Sequence, residues 1–183
     1  MSITNRTWKI VKDEVRDSFR IFRTRLSTRI NPLTGKPYTF FLMDGLDWVN
    51  VIALTKNNEV VLVKQYRHSA EQYTLEIPVG CVEEGESPKL SALRELAEET
   101  GYSGGEIEHL GSLHANPALQ AMKLHVFLAR DVELIAKPSL DTGEDIEVRL
   151  VALTHVQEMI AQGDITHALV VAAFGLLNQK YLQ

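Results

Sequence analysis

The sequence contains a single cysteine, Cys81, among its 183 residues. No intrachain disulfide is therefore possible, which is typical of proteins from a reducing compartment. The longest strongly apolar stretch, Ala168 to Leu177, falls short of the roughly 20 residues that a transmembrane helix requires. The first residues, MSITNRTWKI, also lack the apolar core of a secretory signal. The sequence therefore predicts a cytoplasmic protein with no membrane partner.

Basic residues are not in excess, since 19 Lys and Arg face 24 Asp and Glu and the net charge is −5. Broad electrostatic binding to nucleic acid is therefore not predicted. The six histidines lack the spacing of a paired-ligand metal motif, and we interpret His68, His114 and His125 as structural residues or peripheral substrate contacts. Hydrophobic residues make up 45% of the chain, which is enough for a sizeable core.

The chain divides by pattern near residue 45. Residues 1–45 are predicted to form a β-extension, because β-branched and aromatic residues recur at Trp8–Val15, Phe19–Leu26 and Tyr38–Met43. Three short strands with few large apolar residues are marginal alone, so we expect this extension to pack on something else. Residues 46–183 show a longer mixture of strands and helices, which predicts an α+β sandwich rather than a regular βαβ winding.

The larger region begins with a predicted hairpin of two buried strands, WVNVIALT and VVLVKQYR. A single short strand, TLEIPVG, follows and leads into the Gly- and Glu-rich loop CVEEGE. Further strands are predicted at Ile107–Leu113, Leu124–Ala129 and Ile146–Leu153. Two helices, Val156–Gln162 and Thr166–Leu182, are predicted to finish the chain.

The segment SPKLSALRELAEETG is the strongest helix signal in the sequence. Ser87 and Pro88 suit its first positions and Gly101 suits its end. At 100° per residue, Glu95, Glu98 and Glu99 share an arc of roughly 100°. The opposite arc is expected to be buried and carries these residues: Leu90, Leu93, Leu96 and Ala97. Clustered carboxylates repel one another, and a hard divalent cation relieves that repulsion, although a solvated acidic face is the alternative for such a cluster.

The residues from Gly80 to Tyr102 extend this signal. They read Gly, five residues, Glu, seven residues, Arg-Glu, an apolar residue, any residue, Glu-Glu, any residue, Gly and an apolar residue. This is every fixed position of the Nudix box, and a chance match in a chain of this length is below about one in a million. The chain therefore resembles the Nudix hydrolase superfamily.

The resemblance implies an α/β/α sandwich that carries an N-terminal antiparallel β-extension. It also implies that Glu95 and Glu99 are the principal ligands of Mg²⁺, with Mn²⁺ as a substitute, and that Glu98 is a further ligand or contacts water. Arg94 then orients a glutamate, and Glu86 braces the loop or contacts the metal. The family cleaves a nucleoside diphosphate linked to a second moiety.

Features outside the box resemble the ADP-ribose and nucleoside-diphosphate-sugar pyrophosphatases. Val79 stands where that branch has an alanine whose backbone carbonyl can bind metal. By this resemblance Glu76 contacts the substrate or a metal-bound water, and Arg67 contacts a phosphate or a sugar, a surface salt bridge being its alternative. Pro117 lies where the branch has a loop over the terminal sugar, although an ordinary Asn-Pro turn is also consistent with it.

Three other assignments follow from the same resemblance. Glu144 is the candidate for orienting or deprotonating the attacking water, with Asp145 as the alternative. Trp8 is expected to stack on the base, with Phe40 as a second face of the clamp, unless both aromatics fill a small core. The N-terminal strands are expected to pack across a homodimer.

The sequence thus predicts hydrolysis of the pyrophosphate bond of a nucleoside diphosphate sugar, such as ADP-ribose or a GDP- or UDP-sugar. The products would be a nucleoside monophosphate and a sugar phosphate. Two alternatives stay open: a Nudix hydrolase of nucleoside triphosphates or dinucleoside polyphosphates, and a non-catalytic nucleotide-sensing Nudix module.

Overall fold

The computed structural model describes residues 6–181, which form two compact units. The first unit consists of the chain up to Leu46 together with His114–Met122. The second consists of Asp47–Leu113 and the chain from Lys123 onward. The segment 114–122 therefore belongs with the N-terminal residues, which the sequence pattern alone does not indicate.

The first unit is an antiparallel sheet of three strands in the order β1-β2-β3. Its strands are β1 (Lys9–Ser18), β2 (Phe22–Ile30) and β3 (Pro37–Gly45). The second predicted strand is displaced: Phe19 lies in a turn, where its N–H donates to the carbonyl of Phe22 at 2.8 Å. A turn follows β2 at Asn31, whose side-chain oxygen accepts the N–H of Leu33 at 2.8 Å.

The second unit is built on a seven-stranded mixed sheet with the order β12-β5-β4-β10-β9, in which β6 pairs with β5 and β7 with β4. Strand β10 runs parallel to β4, and β12 runs antiparallel to β5. A pair of two-residue strands that sequence patterns do not reveal, β8 and β11, lies beside it. The strands are β4 (Trp48–Leu54), β5 (Glu59–Arg67), β6 (Gln72–Glu76), β7 (Val79–Cys81), β8 (Tyr102–Ser103), β9 (Glu106–His114), β10 (Lys123–Arg130), β11 (Glu133–Leu134) and β12 (Ile146–Ala152).

Three helices cover the two faces of this sheet. They are α1 (Pro88–Thr100), α2 (Leu153–Gln162) and α3 (Ala168–Tyr181); the predicted end at Leu182 lies outside the described residues. On one face, Ile52 packs with Val156 of α2 and Phe174 of α3. On the other face, Val51 packs with Leu96 of α1. Successive side chains of β4 thus pack into two apolar layers, one on each face of the sheet. This arrangement is the predicted α/β/α sandwich, and it fixes α1 against one side of the sheet.

The predicted single strand TLEIPVG is wrong, because it divides into two strands with different partners. Strand β6 pairs with β5, whereas β7 pairs with β4. Pro78 between them has no N–H to donate, and its carbonyl accepts the N–H of Val51 at 3.0 Å. The chain thus changes its partner strand from β5 to β4 at Pro78. This change places β7 next to α1.

Among the described residues, no helix combines the length and apolarity needed to cross a membrane.

Candidate active site

The helix α1 begins and ends where the sequence predicts. The Ser87 hydroxyl accepts the N–H of Leu90 at 3.3 Å, and Pro88 is the first helical residue. Gly101 closes the helix at φ 73°, a left-handed conformation that glycine adopts without strain. Its N–H donates to the carbonyl of Ala97 at 2.9 Å. These caps fix the register of the carboxylates that lie between them.

The buried face of α1 differs from the predicted one. Leu90, expected to be buried, is 58% exposed, whereas Glu99 is only 3% exposed. The buried positions are Ser91, Ala92, Leu96, Glu99 and Thr100. Leu96 is buried as expected, but small residues and one carboxylate fill the other buried positions. A buried carboxylate on a helix is unfavourable unless it is paired or binds a cation, so this face indicates a functional site.

Glu99 is held by strand β7. Its Oε2 accepts the backbone N–H of Val79 at 3.1 Å. Val79 lies opposite Asn50 of β4, and these two residues are not hydrogen-bonded to each other. The backbone hydrogen bonds between β4 and β7 join the residue pairs on either side of them, as in any antiparallel pair of strands. In an extended strand the N–H and C=O of one residue point the same way. The Val79 carbonyl is therefore directed to the side that faces Glu99, which fits its expected role as a metal ligand.

Gly80 brings the loop into direct contact with the second carboxylate. A Cβ atom added at Gly80 would lie 1.9 Å from the carboxyl carbon of Glu95. Any other residue at position 80 would therefore displace that carboxylate. The fixed glycine of the box is explained by this close approach.

Burial makes the two carboxylates hard to ionise. It raises the pKa of Glu95 to about 7 and the pKa of Glu99 to about 8, and the negative charge of Glu144 adds to both shifts. The negative charge of Glu95 further raises the pKa of Glu99. The positive charges of Arg94 and Arg67 oppose these shifts but do not outweigh burial.

Arg94 connects three of the box glutamates. Its Nη1 donates to Glu95 Oε1 at 2.8 Å and to Glu98 Oε2 at 3.0 Å. Its Nη2 donates to Glu86 Oε2 at 3.0 Å and to the carbonyl of Cys81 at 3.2 Å. Arg94 therefore ties the loop to the helix, and it holds Glu98 on the half-exposed flank of α1.

These residues fit a divalent cation. Within residues 6–181, no three Asp, Glu, His or Cys side chains gather into a complete metal cage. Mg²⁺ does not require such a cage, because it usually takes one or two carboxylates and fills its other positions with water and substrate phosphates. Glu95 and Glu99, with the Val79 carbonyl, supply that number of oxygens, and a cation there would offset their repulsion.

Arg67 and Glu76 form a bidentate ion pair. Arg67 Nε and Nη2 each donate to one carboxylate oxygen of Glu76 at 2.7 Å, and the Thr74 hydroxyl donates to Glu76 Oε1 at 2.6 Å. Burial raises the pKa of Glu76, but the bonds from Arg67 and Thr74 outweigh it, so that the pKa lies below its ordinary value. Because Glu76 is 0% exposed, the structure presents it as the support of Arg67 rather than as a direct substrate contact.

A cavity of about 370 Å³ lies beside this pair and is lined by both candidate bases. Glu144 Oε2 accepts the N–H of Asp141 at 2.9 Å, and its charge reaches Glu95 and Glu99. Asp145 instead accepts the Tyr73 hydroxyl at 2.9 Å. Of the two alternatives, Glu144 is the one that acts electrostatically on the carboxylate pair.

Gln65 is a residue that the sequence interpretation missed. It is buried in β5 and lines the same cavity, and its side-chain nitrogen has no hydrogen-bond partner. Gln65 lies two residues before Arg67 in β5, so both side chains point to the same face of the strand. This spacing could have identified Gln65 from the sequence.

The first unit contains a separate cavity of about 560 Å³, lined by Trp8, Phe40 and Pro117 among others. The rings of Trp8 and Phe40 contact each other edge to face, with centroids 5.4 Å apart and planes at 79°. In this arrangement a base stacked on one ring would meet the edge of the other. Arg25 and Arg29 also line the cavity, and Arg25 is bound to Asp44.

The sandwich fold and the buried carboxylates of α1 define a class, the hydrolases that depend on a divalent cation. The chain belongs to the Nudix family, since the NUDIX domain family matches residues 47–174. It is 34% identical over 133 residues to the ADP-ribose pyrophosphatase of Bacillus subtilis, covering 72% of each chain. It is 36% identical over 143 residues to the ADP-sugar pyrophosphatase of Mus musculus, covering 73% of this chain and 66% of that protein.

A solved structure supports the fold independently. It is described as the crystal structure of an ADP compounds hydrolase, and it superposes with a TM-score of 0.85 over 97% of this chain and 96% of its own, at 22% identity. The match to the NUDIX domain family confirms the predicted Nudix membership, and this superposition confirms the predicted α+β sandwich.

Proposed function

We propose that the protein hydrolyses the pyrophosphate bond of a nucleoside diphosphate sugar, with ADP-ribose as the first candidate. The observation that carries this proposal is the buried pair Glu95 and Glu99 packed against Val79 and Gly80. A site of this kind binds a cation that faces phosphate oxygens. The names of the relatives from Bacillus subtilis and Mus musculus support an ADP-sugar as substrate.

In the proposed reaction, different residues bind the metal, activate the water and contact the substrate. Glu95, Glu99 and the Val79 carbonyl would hold Mg²⁺, with Mn²⁺ as a substitute, and Arg94 fixes Glu95, Glu98 and Glu86 around them. The cation, when bound, neutralises the phosphate oxygens and promotes attack by water. Glu144 orients that water and accepts its proton. Arg67 uses Nε and Nη2 for Glu76, which directs the Nη1 donors to a phosphate or sugar oxygen.

A substrate screen tests the proposal. Purified protein is incubated with ADP-ribose, GDP-mannose, UDP-glucose, nucleoside triphosphates and dinucleoside polyphosphates, each with Mg²⁺ and with Mn²⁺, and the products are resolved by chromatography. We expect a nucleoside monophosphate and a sugar phosphate. Preferential cleavage of a triphosphate or dinucleoside polyphosphate would select that alternative, and no turnover of any compound would select the non-catalytic module.

Replacing the candidate base separates Glu144 from its neighbour. Glu144→Gln should lower kcat by up to about a hundredfold, the low end for a positioned general base, while KM changes little, because the residue acts on water rather than on bound substrate. Steady-state kinetics with ADP-ribose measure both constants. Asp145→Asn is the matched control, and a larger loss of kcat in that variant would transfer the role to Asp145.

Removing the tryptophan tests the N-terminal cavity as a base site. Trp8→Ala should raise KM by about five- to a hundredfold and leave kcat unchanged, because base stacking contributes roughly 1 to 3 kcal/mol of uniform binding. Tyr181→Ala is the control, since this exposed aromatic belongs to α3 and does not line the cavity. Unchanged KM values for ADP-ribose and GDP-mannose in Trp8→Ala would make the indole a packing residue only.

We further propose that residues 1–45 mediate a homodimer while residues 46–183 form the hydrolase domain. The first unit exposes many large apolar side chains, in its sheet and in the turn between β1 and β2: Ile10, Val11, Val15, Phe19, Ile21, Tyr38 and Phe41, the last 72% exposed. The first unit carries nine Lys and Arg against four Asp and Glu, whereas the second carries ten against twenty. The basic sheet of one copy is thus complementary to the acidic unit of another.

The lone cysteine supports a cytoplasmic location.

The dimer is tested by charging its apolar sheet. The double substitution Val11→Glu and Phe41→Glu should convert a dimer to a monomer, because an interface does not accommodate unpaired carboxylates. Light scattering on the full chain measures the molar mass. Leu33→Glu, at an exposed apolar residue in the turn between β2 and β3 rather than in the sheet, should leave the mass unchanged. A monomeric wild type would contradict the proposal.

A further inference from the structure

Four polar side chains form a chain of hydrogen bonds in the second unit that the hydrolase chemistry does not use. His125 Nε2 lies 3.1 Å from Asp47 Oδ2, and His125 Nδ1 lies 2.8 Å from the hydroxyl of Ser112. The same hydroxyl lies 3.1 Å from His109 Nε2. Ser112 and His109 belong to β9 and His125 to the adjacent β10. Two imidazoles from neighbouring strands therefore converge on one oxygen atom.

The carboxylate determines how His125 is protonated. An ionised Asp47 only accepts hydrogen bonds, so the neutral imidazole of His125 carries its proton on Nε2 and presents the lone pair of Nδ1 to Ser112. Asp47 is itself fixed, because its Oδ1 accepts the backbone N–H of Lys123 at 2.8 Å. The lone pair of Nδ1 thus points to a defined position. A carboxylate that holds the far nitrogen of an imidazole is the usual support of a metal-binding histidine.

We propose that His125 Nδ1, His109 Nε2 and the Ser112 oxygen form a binding site for a borderline transition-metal dication such as Zn²⁺ or Cu²⁺. Asp47 is the positioning residue for His125. The two nitrogens lie 2.8 and 3.1 Å from the hydroxyl oxygen. Adjacent ligand atoms around a cation with bonds of about 2.0–2.1 Å lie roughly 2.9 to 3.4 Å apart, so these three atoms already have nearly the spacing of ligands that share one cation.

The site is accessible and chemically distinct from the carboxylates of α1. His109 and Ser112 are exposed, and the side chain of His125 is 14% exposed. Imidazole nitrogens favour Zn²⁺ and Cu²⁺, whereas Mg²⁺ favours oxygen ligands. Two imidazoles and a hydroxyl leave further coordination positions for water.

Copper reports on its nitrogen ligands directly and is the probe for the test. Cu²⁺ is added at one equivalent to the full chain in excess Mg²⁺, and pulsed electron paramagnetic resonance counts the coordinated imidazoles. We expect two in the wild type. His109→Gln should leave one and weaken binding at least tenfold, whereas His155→Gln, at an exposed histidine of α2 paired with Glu158, should retain two. Fewer than two imidazoles in the wild type, or two in His109→Gln, would overturn the proposal.

The positioning role of Asp47 has its own readout. Asp47→Asn should weaken Cu²⁺ binding about ten- to a hundredfold, the range for removing the support of a ligating histidine, while the imidazole count stays at two. Isothermal titration in excess Mg²⁺ measures the affinity, and circular dichroism verifies the fold of each variant. An unchanged affinity in Asp47→Asn would overturn the role of the carboxylate.

Discussion

Replacing Glu99 by glutamine should lower kcat by a hundredfold or more, on the order of 3 kcal/mol of transition-state stabilisation. Glu99 is buried, its Oε2 accepts the N–H of Val79, and it is one of two carboxylates available to a divalent cation. The amide is nearly isosteric and neutral, so the helix should retain its packing while the cation loses a charged ligand. Steady-state kinetics with ADP-ribose and Mg²⁺, with circular dichroism for the fold, measure both consequences.

The matched control is Glu84→Gln, at an exposed carboxylate in the loop that precedes α1 and at a free position of the box. It removes the same charge close by and should leave kcat unchanged. Excess EDTA should abolish turnover in the wild type, and added Mg²⁺ should restore it. Full activity in EDTA would contradict the assignment of Glu95 and Glu99 as metal ligands.

Replacing Arg67 by methionine should reduce the free energy of unfolding by about 3 kcal/mol. It leaves the carboxylate of Glu76, which is 0% exposed, without its bidentate partner, and breaking a buried ion pair typically costs 3–5 kcal/mol. The low end applies because water reaches the guanidinium. Urea denaturation followed by circular dichroism measures the loss. Arg149→Met, which breaks a surface pair with Glu147, should cost no more than about 1 kcal/mol.

Two further measurements identify the cause as the unpaired carboxylate. The double variant Arg67→Met, Glu76→Met should recover most of the lost stability, because apolar residues can replace a buried pair at little cost. In the wild type the pKa of Glu76 is lowered, so its contribution is present at neutral pH and is lost as the pH falls through that pKa. The difference between Arg67→Met and the wild type should therefore shrink toward acidic pH. An equal loss in the double variant would assign the effect to packing.

The helix and the loop of the box could be predicted from the sequence because their determinants are local. Ser87, Pro88 and Gly101 act on residues within one turn, and the box fixes the spacing of Glu95 and Glu99. The buried side of the same helix could not be predicted, since it depends on what lies opposite. Gly80 and Val79 approach α1 so closely that Glu99, which lies outside the arc predicted to be buried, is covered, whereas Leu90 within that arc is left exposed.

Contacts between strands that are distant in the sequence could not be predicted from sequence patterns either. The division of TLEIPVG depends on strand partners rather than on propensity, because β6 and β7 are extended alike but pair with different strands. The histidines look isolated in the sequence, yet His109 and His125 meet because β9 and β10 are neighbours. Periodicity identifies strands, whereas pairing between distant strands decides which side chains share a site.

The hydrogen bonds of Met43 constrain how the first unit can change during evolution. Its N–H donates to the carbonyl of Leu119 at 2.8 Å, and its carbonyl accepts the N–H of Ala121 at 3.2 Å. The N-terminal strands and the segment 114–122 thus form a single module encoded in two separate stretches of the gene. A recombination that replaced only the N-terminal strands would pair the β3 of one protein with the segment 114–122 of another. Related enzymes should therefore inherit, replace or lose these two stretches together.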